Sequence, residues 1–125
     1  MKVIKIPYID QLPCSVHEVS EPENENHIKE LKELININMA EFVLTKIYGE
    51  DLSRKYYLIV DEVGKMKEKW IQKINWRASQ FYAGTIHGDP IVGDVILCAM
   101  VQSNGEWELT GLEDWEIEQL LFSML

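Results

Sequence analysis

The chain has 125 residues, 46% of them hydrophobic and 26% charged, with a net charge of −9. That length suits one domain with a sizeable core. The acidity argues against duplex DNA as a partner, because neutralising phosphates needs a basic surface. No apolar run approaches the roughly 18 to 20 residues that span a bilayer, so no membrane partner is expected. MKVIKIPYID lacks the apolar stretch of a signal peptide, and the expected location is a host cytosol.

The element reading begins with a strand in MKVIKI, which places Val3 and Lys5 on one face and ends at Pro7. LPCSVHEVS offers a second short strand. SEPENENHIKELKELI opens a helix, with Ser20 and Glu23 as a capping box or Asn24 as a later cap. Ile28, Leu31, Leu34 and Ile35 recur at helical spacing. Residues 39–48 and KYYLIVDEV read as strands paired in a hairpin.

In KMKEKWIQKINWRASQFYAG, Trp70, Ile71 and Ile74 suit one helical face. Asn75 can cap a separate helix over residues 76–83, stopped by Gly84. From Ile91 to Val101 nearly every side chain is apolar, which predicts a strand buried on both faces. Asn104-Gly105 predicts a type I′ turn that folds residues 106–110 back on it. Thr110 and Glu113 suit a capping box for a terminal helix with Trp115, Ile117, Leu120, Leu121 and Met124 on its apolar face. The order β-β-α-β-β-α-β-β-α predicts a single α+β domain. It should have a largely antiparallel sheet and about three helices, mainly on one face.

Charge is spread unevenly. Residues 1–53 balance to −5, residues 54–77 to +4 and residues 78–125 to −8, the last with no Lys or Arg. The basic strip can pair with the acidic remainder or form a local patch. Cys14 and Cys98 have no zinc-like spacing, and both are expected as free thiols.

No GxSxG, HExxH, P-loop or GxGxxG occurs. Cys98 sits in an apolar run where a thiolate is costly. HGDPIVGDVILC offers His87, Asp89 and Asp94, which match a divalent ion in type. The competing reading makes Gly88-Asp89-Pro90 the entry turn of the central strand, with Gly93-Asp94 at a bulge or close backbone approach. Trp70, Trp76, Phe81 and Tyr82 interleave with Lys69, Lys73 and Arg77, which fits either a stacking surface for a base or two amphipathic helices. The acidic terminal helix, with Glu113, Asp114, Glu116 and Glu118, is either a solvated face or a face for a basic partner.

Four motifs together resemble the domain of unknown function 3846 family, small proteins encoded by phages and mobile elements. They are Glu62-Val63-Gly64, Asn75-Trp76-Arg77-Ala78, Ile91-Val92-Gly93-Asp94 and the threonine-leading acidic helix from Thr110. The resemblance covers residues 55–125 and, loosely, the first strand; residues 20–53 read as an elaboration of this branch. It implies an accessory protein of a mobile element and carries no activity or cofactor.

Three functions follow as expectations. The first is a non-enzymatic phage or mobile-element protein that binds and inhibits a host component, a defence protein in particular. The second is a small-nucleotide binder using Asn75, Arg77, Tyr82, His87 and Asp89, with Arg77 holding phosphate. The third is a metal-assisted hydrolase using His87, Asp89 and Asp94. Whether Asp89 and Asp94 share a cleft with Arg77 separates them. Edge strands are a possible route to a homodimer.

Overall fold

A computed structural model describes residues 1–47, 52–82 and 90–124. The described elements are β1 (Lys2–Ile6), β2 (Ser15–Glu18), α1 (His27–Leu34), β3 (Ala40–Leu44) and β4 (Arg54–Asp61). After two 3-10 turns come α2 (Trp76–Ser79), β5 (Val95–Ser103), β6 (Glu106–Thr110) and α3 (Asp114–Ser123). The sheet is antiparallel at every pairing and runs β2-β1-β5-β4-β3. β6 joins the same edge of β5 as β1, further along the strand. Val95–Leu97 pair with β1, and Ala99–Ser103 pair with β6. The expected α+β domain with an antiparallel sheet and three helices is the fold observed.

Period-two alternation explains why β5 is central. Val95, Leu97 and Ala99 enter one apolar layer, while Ile96 and Cys98 enter the other. All five are fully buried. The first layer lies between the sheet and the helices α2 and α3, through Ala78, Ile117 and Leu120. The second lies under α1, where Leu31 and Ile35 meet Val3, Ile59 and Ile96. Each fully buried Leu or Ile contributes about 2 kcal/mol of transfer free energy. Two helices therefore cover one face and one covers the other. No helix among the described residues is long and apolar enough to cross a membrane.

Local details depart from the sequence reading in several places. Helix α2 spans Trp76–Ser79 and not 76–83, and β5 begins at Val95 and not Ile91. Helix α1 starts at His27, without a side-chain cap, and neither expected cap is used. Ser20 N instead donates to Glu30 Oε2 at 3.2 Å. The expected helical face of Trp70, Ile71 and Ile74 does not form: Trp70–Lys73 is a 3-10 turn that buries none of its residues. The capping box of α3 is Glu113 with Glu116, one helical step after the expected Thr110 and Glu113. Trp115 stands 58% exposed, outside the apolar face assigned to it. The type I′ turn is as read, with Asn104 and Gly105 at φ 52° and 82°.

One close approach fixes α3 on the sheet. A Cβ on Gly111 would lie 2.7 Å from Met1 Cβ and 2.9 Å from Lys2 N, so only glycine lets this turn cross β1. Leu112 N then donates to Lys2 O at 2.8 Å, and Lys2 Nζ pairs with Asp114 at 2.8 Å.

Candidate functional site

Three of the residues singled out in the sequence do meet. They meet on the chain that leaves β1. Asn75 caps α2 by accepting from Ala78 N at 3.0 Å, and its amide donates to Ile6 O at 2.8 Å and Gly93 O at 3.0 Å. Arg77 Nη2 donates to Pro7 O at 2.7 Å and Ile9 O at 3.0 Å. Asp94 Oδ1 accepts from Tyr8 N at 3.0 Å, with Lys5 Nζ 3.8 Å from its other oxygen.

The corner is stitched further by backbone. Asn75 N donates to Ile91 O and Gly93 N to Lys73 O, at 2.8 and 2.7 Å. Ser79 Oγ donates to Asn75 O and accepts from Ile91 N. Gly93 sits at φ +83° with open space where a Cβ would be. Its role is a left-handed backbone position, not the close approach that was the alternative.

This geometry answers the question about Asp94. Its carboxylate caps a backbone amide. Arg77 Nη2 is taken by two carbonyls, and its Nε is buried without a hydrogen-bond partner, 3.9 Å from Asp10 Oδ1. His87 and Asp89 lie outside the described residues. Among the described residues, no three His, Cys, Asp or Glu side chains gather as a metal would need.

Tyr82 lies apart from that set, on a cleft of about 210 Å³. Glu41, Asp61, Glu62 and Lys65 line the polar wall, with Val43 and Val60 among the apolar side chains. Asp61 is already committed, to Lys67 Nζ at 2.6 Å and to Val63 N at 3.1 Å. With Asp61 paired to Lys67, Glu41 and Glu62 still outnumber Lys65, which makes this cleft a poor phosphate site.

The expected acidic face divides into two parts. Glu116 is only 1% exposed, which removes it from any partner surface. Its oxygens accept from Arg54 Nε at 2.8 Å, Arg54 Nη2 at 2.5 Å, the Tyr56 hydroxyl, and Glu113 N at 2.8 Å. Burial pushes the Glu116 carboxyl up, but Arg54, Tyr56 and the Glu113 amide outweigh it and hold the pKa below the ordinary value. Burial and the Glu116 bond push the Tyr56 hydroxyl up to about 12. This buried clamp joins β4 to α3. Sequence reasoning did not link Arg54 or Tyr56 to Glu116, since the pair is 62 residues apart.

The other acidic residues, Glu113, Asp114 and Glu118, are exposed. Glu118 belongs to an outward stripe on α3 at positions 115, 118, 119 and 122, the i, i+3, i+4, i+7 spacing of one helix face, and Glu113 and Asp114 precede it. Trp115 and Phe122, at 58% and 77% exposure, are the ends of that stripe. An exposed aromatic pair amid carboxylates is the surface chemistry of a protein contact.

No family model and no curated protein matches the chain. A solved structure shares its fold. It is the crystal structure of the small RNA methyltransferase HEN1, at a TM-score of 0.62 and 16% identity. The match covers 96% of this chain and 16% of that one. The likeness is to a part of that protein and establishes the fold alone.

Proposed function

We propose that this chain is a non-enzymatic accessory protein that binds and inhibits a host component, and that α3 is its contact surface. The observation that carries the reading is the Trp115–Phe122 stripe. Large aromatic side chains left in water at helical spacing, beside Glu113, Asp114 and Glu118, suit a partner with an apolar pocket rimmed by basic residues. The occupation of Asn75, Arg77 and Asp94 by the fold weighs against the small-nucleotide and metal-hydrolase readings. The resemblance of four motifs to the domain of unknown function 3846 family supports a mobile-element source, and with it a host defence protein as target.

The test compares the wild-type chain with Trp115→Ala/Phe122→Ala in a defence-bearing bacterial host. Expected are rescued plaque formation and recovery of a basic host protein with the wild type, and loss of both with the variant. A variant that rescues phage as well as the wild type would overturn the assignment to α3. No rescue by either chain, together with no retained partner, would overturn inhibition itself.

A further inference from the structure

We infer that α3 and the basic arm before α2 form one self-complementary surface, through which two copies of this chain pair about a two-fold axis. The arm is residues 65–73, which carry Lys65, Lys67, Lys69 and Lys73 against the single acid Glu68. Every residue of it is exposed except the half-buried Trp70. Its charges surround apolar side chains in water: Met66 is 84% exposed, Ile71 67%, and Trp76, just beyond, 59%. The α3 stripe is built the same way with the opposite sign. Each surface has an apolar centre and a rim dominated by one sign of charge, and the rims are complementary.

The two surfaces belong to one side of the molecule. Helices α2 and α3 pack into the same apolar layer through Ala78, Ile117 and Leu120. Cys14 lies between them: its Sγ is 4.0 Å from Met124 Sδ, next to the α3 terminus. Burial raises the pKa of the Cys14 thiol, and the nearby charge of Arg77 on α2 opposes that rise. The arm leads through Asn75 into α2, which shares its apolar layer with α3.

Part of this charge is used within the chain, where Lys67 pairs with Asp61 and Asp114 with Lys2. No ion pair among the described residues uses Lys69, Lys73 or Glu118. A two-fold axis solves this, because an isologous contact sets the arm of each copy on the α3 of the other. Both oppositely charged contacts then form at once and close the assembly at two copies. The inference shares α3 with the function proposed above but needs no host partner.

The test is sedimentation of the purified full chain at low and high salt. Expected is a species of twice the 14.6 kDa chain mass at about 0.1 M salt. It should dissociate at about 1 M, where the Debye length falls to about 3 Å. Lys69→Glu/Lys73→Glu and Glu118→Lys/Gln119→Lys alter exposed positions only. Each variant alone should weaken pairing by about tenfold or more, through like charges brought together. Mixed in equal amounts, the two should form a heterodimer, since each then offers what the other lacks.

A wild-type chain that stays monomeric at low salt would overturn the inference. So would a Lys69→Glu/Lys73→Glu variant that still pairs with itself, which would place the contact elsewhere, for example on an edge strand. Because only the purified chain is used, failure here leaves the host-partner reading of α3 standing, and failure of phage rescue leaves pairing standing.

Discussion

The corner around Asn75 and the outer stripe of α3 assign opposite roles to the residues that attract notice. In the corner, an arginine, an aspartate and an asparagine look like chemistry and are used as joints. On α3, a tryptophan and a phenylalanine look like core and stand in water. A buried polar group must find partners, and the nearest ones here are the carbonyls and amide of residues 6–9. An exposed aromatic has no such requirement and stays available to a second molecule. Residue type alone is therefore a poor guide to a site, and what each side chain touches is a better one.

Variants can break this contrast. The largest loss is expected from Asn75→Ala. It removes a helix cap and leaves the Ile6 and Gly93 carbonyls short of a donor, a cost of about 3 to 4 kcal/mol. The urea midpoint measures it. Glu116→Gln should follow at about 3 kcal/mol, because Arg54 then keeps a largely buried charge without its counter-ion. Arg77→Lys should cost about 1 to 2 kcal/mol, since the shorter ammonium stops short of the Nη2 position that bonds both carbonyls. Trp115→Ala and Phe122→Ala should move stability by less than about 0.5 kcal/mol while abolishing association. An Asn75→Ala protein as stable as the wild type would erase the distinction, as would a Trp115→Ala protein that unfolds.

The clamp between Arg54, Tyr56 and Glu116 adds a pH signature at both ends. Glu116 has a lowered folded pKa, so its contribution is present above the unfolded value of about 4.3 and is lost as pH falls through the folded value. Glu116→Gln should flatten the acid limb of a Tm against pH curve. Tyr56 is raised to about 12, so its neutral form is favoured in the folded chain. Its contribution is present below the unfolded value of about 10 and is lost between there and 12. Cys98, raised to about 12 by burial, acts with the same sign from about pH 8.5 upward. Tyr56→Phe should therefore leave the fall above pH 8.5 and remove part of the slope above about 10. An unchanged slope in that range would show that the hydroxyl is not held neutral by the fold.

Much of the architecture was legible in the sequence, and the reason is periodicity. The alternation in MKVIKI, the continuous apolar run of β5, the Asn104-Gly105 turn and the spacing of Ile117 and Leu120 each state a local requirement that the fold meets. Helix starts were read less well. Ser20, Glu23 and Thr110 are all suitable caps, and the chain used none of them, because caps are weak next to packing. The 3-10 turn at Trp70–Lys73 has the apolar spacing of a helix face, but no core lies under Ile71.

The amino-acid order by itself determined the strands, the helices, the antiparallel pairing of hairpin neighbours and the separation of charge into a basic middle and an acidic end. These follow from contacts within a few residues, where spacing is direct information. Only the tertiary structure decided which charges are spent. It set Arg77 and Asp94 on the chain after β1 and drew Glu116 inward to Arg54 and Tyr56. It left Trp115, Phe122, Lys69 and Lys73 facing water. Those outcomes depend on partners 60 to 90 residues away in sequence, as the separations of 62 for Arg54 with Glu116 and 86 for Tyr8 with Asp94 show. Burial is a property of the packed whole, and no local pattern encodes it.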